Sequence, residues 1–382
     1  MSLRDKLTAG GAGKSLAEVV YGRFGVVSNP FPLSNQTSSN PRLPLPIDDE
    51  ANSRIATFMR DEKSQVLVIE GTQGVGKTNF LNHFEAEIAS VLNELDAQGF
   101  YVVRYLADPE ASFDGTLRRL FQELGLDHLI LLAEAISKNQ DAIIGVARSQ
   151  DMRSALRKLS DAKGDNLKLT AVLMLEWLMG SRILKAHKEA LGVQFRLDTV
   201  ESKTAALRDI VLASSEAKLL KGIFLLLDEL EKQAGVLSPT AVVRYLSAMR
   251  AIIDALPKHL FMMIAVTPDA MRRYAEMLPA FRSRLQNQLT LSPLYTLDEA
   301  LSLAKFYTDT GHAEAKKVFQ TRAGTEELIS VNEIKSTFEE LSRTLSKRAD
   351  TGVKQREFLH QLHLLAEVKL QHNLSMPHID KV

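Results

Sequence analysis

The chain has 382 residues, of which 45% are apolar and 25% charged, with 47 basic against 47 acidic side chains and no cysteine. That length suits one large domain with an appendage, or two, and the apolar share is ample for a packed core. The composition excludes disulfides and thiolate metal sites, and the charge balance gives no global basic footprint of the kind that marks many nucleic-acid binders.

No stretch approaches the roughly 18 uninterrupted apolar residues of a membrane span. The opening Met1-Ser2-Leu3-Arg4-Asp5-Lys6 has no apolar leader-like region, so a soluble, cytoplasmic protein with no membrane partner is expected. Residues 1–50 read as an N-terminal arm. Within it Thr8 to Ser15 imitates a phosphate loop, but Thr8 stands where the pattern needs glycine and no strand-like run precedes it, so it reads as a flexible segment. Asn29-Pro30-Phe31-Pro32 through Pro46 is rich in Pro, Ser and Asn and reads as extended. Asp48 to Arg60 reads as a short helix with acidic residues at its start.

The α/β core, residues 51–295, opens with the apolar run Val66 to Ile69, followed at once by Gly71-Thr72-Gln73-Gly74-Val75-Gly76-Lys77-Thr78. This fits G-x-x-x-x-G-K-[ST] at every fixed position, between a strand-like segment and a helix-like one (Asn79 to Leu95). The backbone N–H groups of Gly71, Gly74, Val75 and Gly76 can turn inward around phosphates, Lys77 reaches the β/γ-phosphates, and the Thr78 hydroxyl is placed to ligate Mg²⁺. The helix that follows aims its positive dipole end at the same anion. A nucleoside triphosphate with Mg²⁺ is therefore the expected ligand, and the lack of an Asn-Lys-x-Asp segment to read guanine points to ATP.

A strand over Phe100 to Leu106 completes a βαβ unit and implies a parallel sheet. From about 112 to 220 the apolar period becomes helical, as in Leu117 to Leu124 and Leu173 to Leu178, so a large helical insertion interrupts the sheet; its apolar clusters read as packing. Ile223 to Glu229 resumes the sheet with the continuous apolar run of a strand buried on both faces. A helix at Pro239 to Leu256, a strand at Leu260 to Val266 and a short strand at Gln286 to Leu291 follow. Residues 296–382, with helical periods at Asp298–Tyr307, Asn332–Leu345 and Lys354–Leu370, read as a C-terminal helical lid.

Asp228 and Glu229 emerge at the C-terminal edge of their strand, where open α/β sheets bind ligands. Asp228 is expected to hold Mg²⁺ and Glu229 to polarise the attacking water. Thr267, at the tip of the next strand, orients water or the γ-phosphate, or simply closes a turn before Pro268. Phosphoryl transfer also draws on an arginine, often from another subunit. Arg284, in Arg282-Ser283-Arg284-Leu285, is the candidate, with Arg282 as the alternative; the competing reading is a pair of surface arginines. Arg356, opening the last helix, either reaches back over the nucleotide or is a solvated helix arginine. His360, His363 and Glu367 have a metal-like spacing on one helix, but with no further ligand in view zinc is not expected.

Loop, Asp-Glu strand, strand with terminal Thr, Ser-Arg pair and helical lid, in that order, resemble an AAA+ ATPase, a P-loop NTPase. In that family's terms Gly71 to Thr78 matches Walker A, Asp228-Glu229 Walker B, Thr267 sensor 1 and Arg284 the arginine finger, while Arg356 is similar to sensor 2. The Asn-Pro-Phe arm and Thr267-Pro-Asp-Ala-Met resemble the initiator and origin-recognition clade and the ATPases that regulate transposition. Glu176-Trp177-Leu178-Met179-Gly180, Leu191-Gly192-Val193, Leu225 to Glu231 and Arg356-Glu-Phe-Leu359 resemble the ATP-binding proteins of bacterial phage-defence (BREX-type) systems. The resemblance implies ATP hydrolysis coupled to assembly of a homo-oligomer on DNA or on a partner protein, with Arg284 of one protomer completing the site of the next. Two features depart from the family: no winged-helix segment follows the lid, and the C-terminal part is balanced in charge. The alternative is a STAND-like nucleotide-gated signalling switch that turns over slowly and docks a partner through its insertion.

Overall fold

The computed structural model describes residues 22–33, 41–106, 113–182, 184–232, 237–285, 287–319, 326–346 and 352–375; the loop-like Thr8 to Ser15 and Gln286 lie outside them. The chain divides into an α/β unit, Leu45–Gly71 with Leu81–Thr290, and a helical unit, Met1–Pro44 with Thr72–Phe80 and Leu291–Val382.

The α/β unit begins with α1 (Pro46–Asp61), whose Asp48 carboxylate accepts the Leu45 N–H at 2.9 Å and so satisfies one of the orphan donors at the helix start. Five strands follow: β1 (Gln65–Glu70), β2 (Phe100–Leu106), β3 (Gly222–Asp228), β4 (Leu260–Val266) and β5 (Asn287–Thr290). They form one parallel sheet in the order β2-β3-β4-β1-β5. Every residue of β3 and β4 is buried, which is why both read as unbroken apolar runs. Phe58 of α1 packs its ring 5.1 Å from Phe224 and 5.4 Å from Phe261, centroid to centroid. Helix α2 (Lys77–Glu94) follows the glycine-rich loop, and α9 (Pro239–Ala255) joins β3 to β4.

Between β2 and β3 lies the expected insertion: α3 (Asp114–Lys138), α4 (Gln140–Gly145), α5 (Gln150–Asp161), α6 (Asp165–Leu178), α7 (Lys185–Leu191) and α8 (Val200–Glu216). Gly125 breaks α3 into two helical stretches, with φ +71 and ψ −176. Beyond the end of α6, Gly180 has φ +75, and a Cβ there would come within 2.4 Å of both the Leu197 carbonyl and Lys203 Cε. Only glycine fits, so the glycine of Trp177-Leu-Met-Gly180 is a packing requirement. Lys203, 2% exposed on α8, pairs with Asp114 at the start of α3.

His128 of α3 ties the insertion to the sheet, with the Tyr101 hydroxyl of β2 2.6 Å from Nδ1 and the Ser214 hydroxyl of α8 2.7 Å from Nε2. Burial pushes the His128 imidazole down to about 4 from its ordinary 6.5. The unfolded chain therefore takes up this proton first, so the neutral histidine's contribution is complete above pH 6.5 and is lost as pH falls towards 4. The expected loss between pH 7.5 and 4.5 is about 2–3 kcal/mol. Urea unfolding of the wild type and of His128→Gln at the two pH values checks it: the variant should lose that much less, and equal losses would assign the acid sensitivity elsewhere.

The helical unit is built on α12 (Leu297–Phe319), α13 (Val331–Ser346) and α14 (Gln355–Ser375). Phe358, Leu362, Ala366 and Leu370 recur every fourth residue along α14, and all are buried in one core with Leu303, Tyr307 and Phe338. The arm joins this core through Phe24, Val26 and Phe31. Asn29 Nδ2 donates to the His363 carbonyl at 3.0 Å and to Glu367 Oε2 at 3.1 Å, while His363 Nδ1 lies 2.6 Å from the Phe31 carbonyl. The His-Glu face of α14 thus holds the Asn-Pro-Phe arm. Among the described residues no group of three or more His, Cys, Asp or Glu could hold a metal, and no helix is long and apolar enough to cross a membrane.

Candidate functional site

The glycine-rich loop leaves β1 with the Gly71 N–H bonded to the Val266 carbonyl at 3.2 Å. Gly74 and Gly76 have φ of +88 and +98, the left-handed region that turns successive N–H groups to one side and that side chains enter only with strain. Val75 between them is wholly buried, anchoring the loop. The ladder of α2 starts at once, Phe80 N–H donating to the Gly76 carbonyl at 2.9 Å. Lys77 is 7% exposed and its Nζ donates to the Thr72 carbonyl at 3.3 Å; Thr78 beside it is half-buried.

Within the helical unit the start of α14 rests on this loop. The Arg356 N–H donates to the Gly74 carbonyl at 3.0 Å, and a Cβ on Gly74 would meet the Cβ atoms of Lys354 and Arg356 at 3.5 and 3.6 Å. The Arg356 side chain is exposed, and among the described residues its guanidinium has no hydrogen-bond or ion-pair partner. The structure therefore brings Arg356 to the loop.

In the α/β unit Asp228 is the last residue of β3 and only 1% exposed. Glu229, expected to close that strand, lies one residue beyond it: its φ of +55 takes the chain out of the extended region and turns its side chain away from the strand's alternation. Its N–H donates to Asp228 Oδ1 at 2.9 Å, and its carboxylate pairs with Lys232 Nζ at 2.5 Å. The Tyr274 hydroxyl, on α10 (Pro268–Met277), donates to the Leu230 carbonyl at 2.5 Å and fixes the turn from the far side.

The second Asp228 oxygen is held by a residue that the reading of the sequence missed. Arg104 of β2 donates from Nη2 to Asp228 Oδ2 at 2.7 Å and to Asn82 Oδ1 of α2 at 3.3 Å, and its Nε lies 3.8 Å from Glu85. In Tyr-Val-Val-Arg-Tyr it looks like one polar step in a strand. Only the register of β2 on β3, which sets Leu106 opposite Asp228, reveals the contact.

Thr267 follows β4, the strand between β1 and β3, so it stands at the same sheet edge as Asp228. Its hydroxyl caps α10, accepting the Ala270 N–H at 3.4 Å, and keeps its own proton to donate. Arg284 Nε pairs with Asp254 Oδ1 of α9 at 2.7 Å, and Arg250 reaches the same carboxylate at 3.2 Å. The two arginines, Arg284 foremost, hold the Asp254 carboxyl below its usual range. The pair is exposed and screened by solvent, so Arg284 is held in place only weakly. Arg282, ending α11 (Pro279–Arg282), lines a cleft of roughly 410 Å³ with Glu70, Pro268, Arg272 and Gln288.

The Thr78 hydroxyl, in the helical unit, and the Asp228 carboxylate, in the α/β unit, are each hard oxygens of the kind that Mg²⁺ takes, and neither by itself makes an all-protein cage.

A family model described as "BREX system ATP-binding protein BrxC/D" matches residues 130–379, from within α3 past the end of α14. No curated protein matches the chain. Among solved structures the chain is similar to the ORC2 protein of Aeropyrum pernix in its ADPNP–ADP complexes, at 12% identity and a TM-score of 0.42, covering 89% of this chain and 71% of that one. The ADP form of the same protein gives 11% identity and a TM-score of 0.40, covering 87% of this chain and 71% of that one.

Proposed function

The chain belongs to the BREX system ATP-binding protein family BrxC/D, and from that premise we propose that it is an AAA+-type ATPase of a phage-defence system, whose cycle of ATP binding and hydrolysis drives assembly of a cytoplasmic homo-oligomer on DNA or a partner protein. The observation that carries the reading is the formed phosphate loop, with Gly74 and Gly76 left-handed and the N-terminus of α14 seated on it. In this reading the loop N–H groups and Lys77 hold the phosphates, and Arg356 adds a cation from the helical unit. Thr78 and Asp228 would hold Mg²⁺, which would supply positive charge against the phosphates. Glu229 leaves Lys232 to accept a proton from water, Thr267 donates its hydroxyl hydrogen to that water or to the γ-phosphate, and Arg284 or Arg282 of a neighbouring protomer faces the phosphoryl group.

Glu229→Gln should keep ATP binding while turnover falls about 100-fold or more, the usual contribution of a general base. Unchanged turnover would remove Glu229 from this role. Light scattering should show a rise in mass with ATP that disappears in Arg284→Ala or Arg282→Ala while nucleotide binding survives. Full-rate hydrolysis by a strict monomer would sink the assembly reading.

A second reading, a nucleotide-gated switch that cycles slowly and docks a partner through its insertion, draws support from the engagement of both carboxylates by cations, Asp228 by Arg104 and Glu229 by Lys232. Negligible turnover with tightly retained nucleotide would favour it, and stimulation of turnover by DNA would favour the first.

A further inference from the structure

Among the described residues the most exposed large apolar side chain is Phe195, at 71%, in the loop that follows α7. Its backbone is fixed. The Phe195 carbonyl accepts from Trp177 Nε1 at 3.0 Å, and Asp151 Oδ2 accepts the N–H groups of Gln194 and Phe195 at 3.1 and 2.9 Å. Val193 and Leu197 on either side are buried. The loop is thus rigid in its main chain while it presents one aromatic face to water, the form of a contact residue that loses little entropy on binding.

Cations lie along the same loop. Arg196 is adjacent, and Lys188 Nζ donates to the Gln194 carbonyl at 2.9 Å. A Cβ on Gly192 would lie 3.7 Å from the Lys158 stem, and Arg182 comes two residues after Gly180, whose own Cβ position abuts the Leu197 carbonyl. Among the described residues none of Lys158, Arg182, Lys188 and Arg196 has a carboxylate partner. The acids close by are fewer: Glu189 is paired with Lys185, Asp151 is occupied by backbone N–H groups, and Asp198 is exposed.

An exposed aromatic ring on a fixed backbone, with cations that have no carboxylate partner along the same loop, is complementary to a polyanion that carries π-faces. We propose that this loop of the insertion binds single-stranded nucleic acid, Phe195 stacking on an unpaired base and the four cations taking flanking phosphates. A duplex keeps its base faces stacked inside, and a protein interface is depleted in lysine, so neither matches this surface as well. The inference rests on the reading above only in choosing nucleic acid over a protein partner, and it needs no ATP turnover.

Fluorescence anisotropy of a labelled single-stranded oligonucleotide with the full chain, without ATP, tests it against the same sequence as duplex and against poly-glutamate. The single strand should bind tightest. Phe195→Ala should weaken it about fivefold or more with an unchanged salt slope, Phe195→Trp should restore it, and Arg196→Ser should lower the slope of log K against log salt by about 0.7. Wild-type binding by Phe195→Ala, or equal binding of single strand, duplex and poly-glutamate, would overturn the proposal. Lys77→Ala should bind the oligonucleotide as the wild type does. A chain that turns over no ATP yet responds to Phe195→Ala loses the ATPase reading alone, and one that hydrolyses ATP but ignores Phe195→Ala loses this one alone.

Discussion

Lys77→Ala is expected to lose nucleotide binding, with affinity falling about 100-fold or more. The side chain is 7% exposed and aims its ammonium back along the loop, its bond to the Thr72 carbonyl stretched to 3.3 Å. A phosphate oxygen offers a charge-assisted bond worth about 1.5–3 kcal/mol, and a lysine at this position of the motif meets two phosphates. Titration with a fluorescent ATP analogue measures the loss, and circular dichroism guards against unfolding. If the variant retains nucleotide within a few-fold of the wild type, the loop is a structural turn and the ATPase reading fails at its first step.

The second large effect falls on stability. Arg104→Met removes the one described cation beside Asp228 and leaves a carboxylate that is 1% exposed. Breaking one half of a buried pair costs about 3–5 kcal/mol, because the remaining charge stays in the interior without its partner. For a unit of this size that corresponds to a fall in Tm of about 10 °C. The double variant Arg104→Met with Asp228→Asn should recover most of the loss, since no charge is then left uncompensated, and thermal denaturation of the four proteins closes the cycle. Additive losses would show that Arg104 acts through packing of its stem and not through the pair.

Structure that depends on local spacing was legible in the residues. The loop was, because eight consecutive positions specify a backbone path, and the interior strands were, because burial on both faces leaves an unbroken apolar run. The parallel sheet and the helical insertion followed from the same periods. Pairings between distant segments were not legible. Arg104 gains its meaning from β2 lying beside β3, 124 residues apart for this pair. Glu229 reads as a strand residue because strand periodicity carries no sign of a single left-handed φ. His363 and Glu367 have a spacing that suits either a metal or any other ligand of one helix face, and what they meet is Asn29 and the Phe31 carbonyl, 332–338 residues away. Gly180 shows that a lone glycine in a helical pattern is uninformative until the carbonyl it must admit is known.

The seating of α14 against both the arm and the phosphate loop bears on the order of events during synthesis. On the ribosome the arm and the loop emerge early, while the helix that each of them packs against is made some three hundred residues later, the Asn29–His363 contact spanning 334 positions. Closing so long a loop costs only slightly more entropy than closing a shorter one, but it cannot begin until α14 has been translated. Until α14 has been made, the nascent chain thus carries Phe24, Val26 and Phe31 of the arm uncovered by it, an interval in which a holding chaperone has apolar surface to protect.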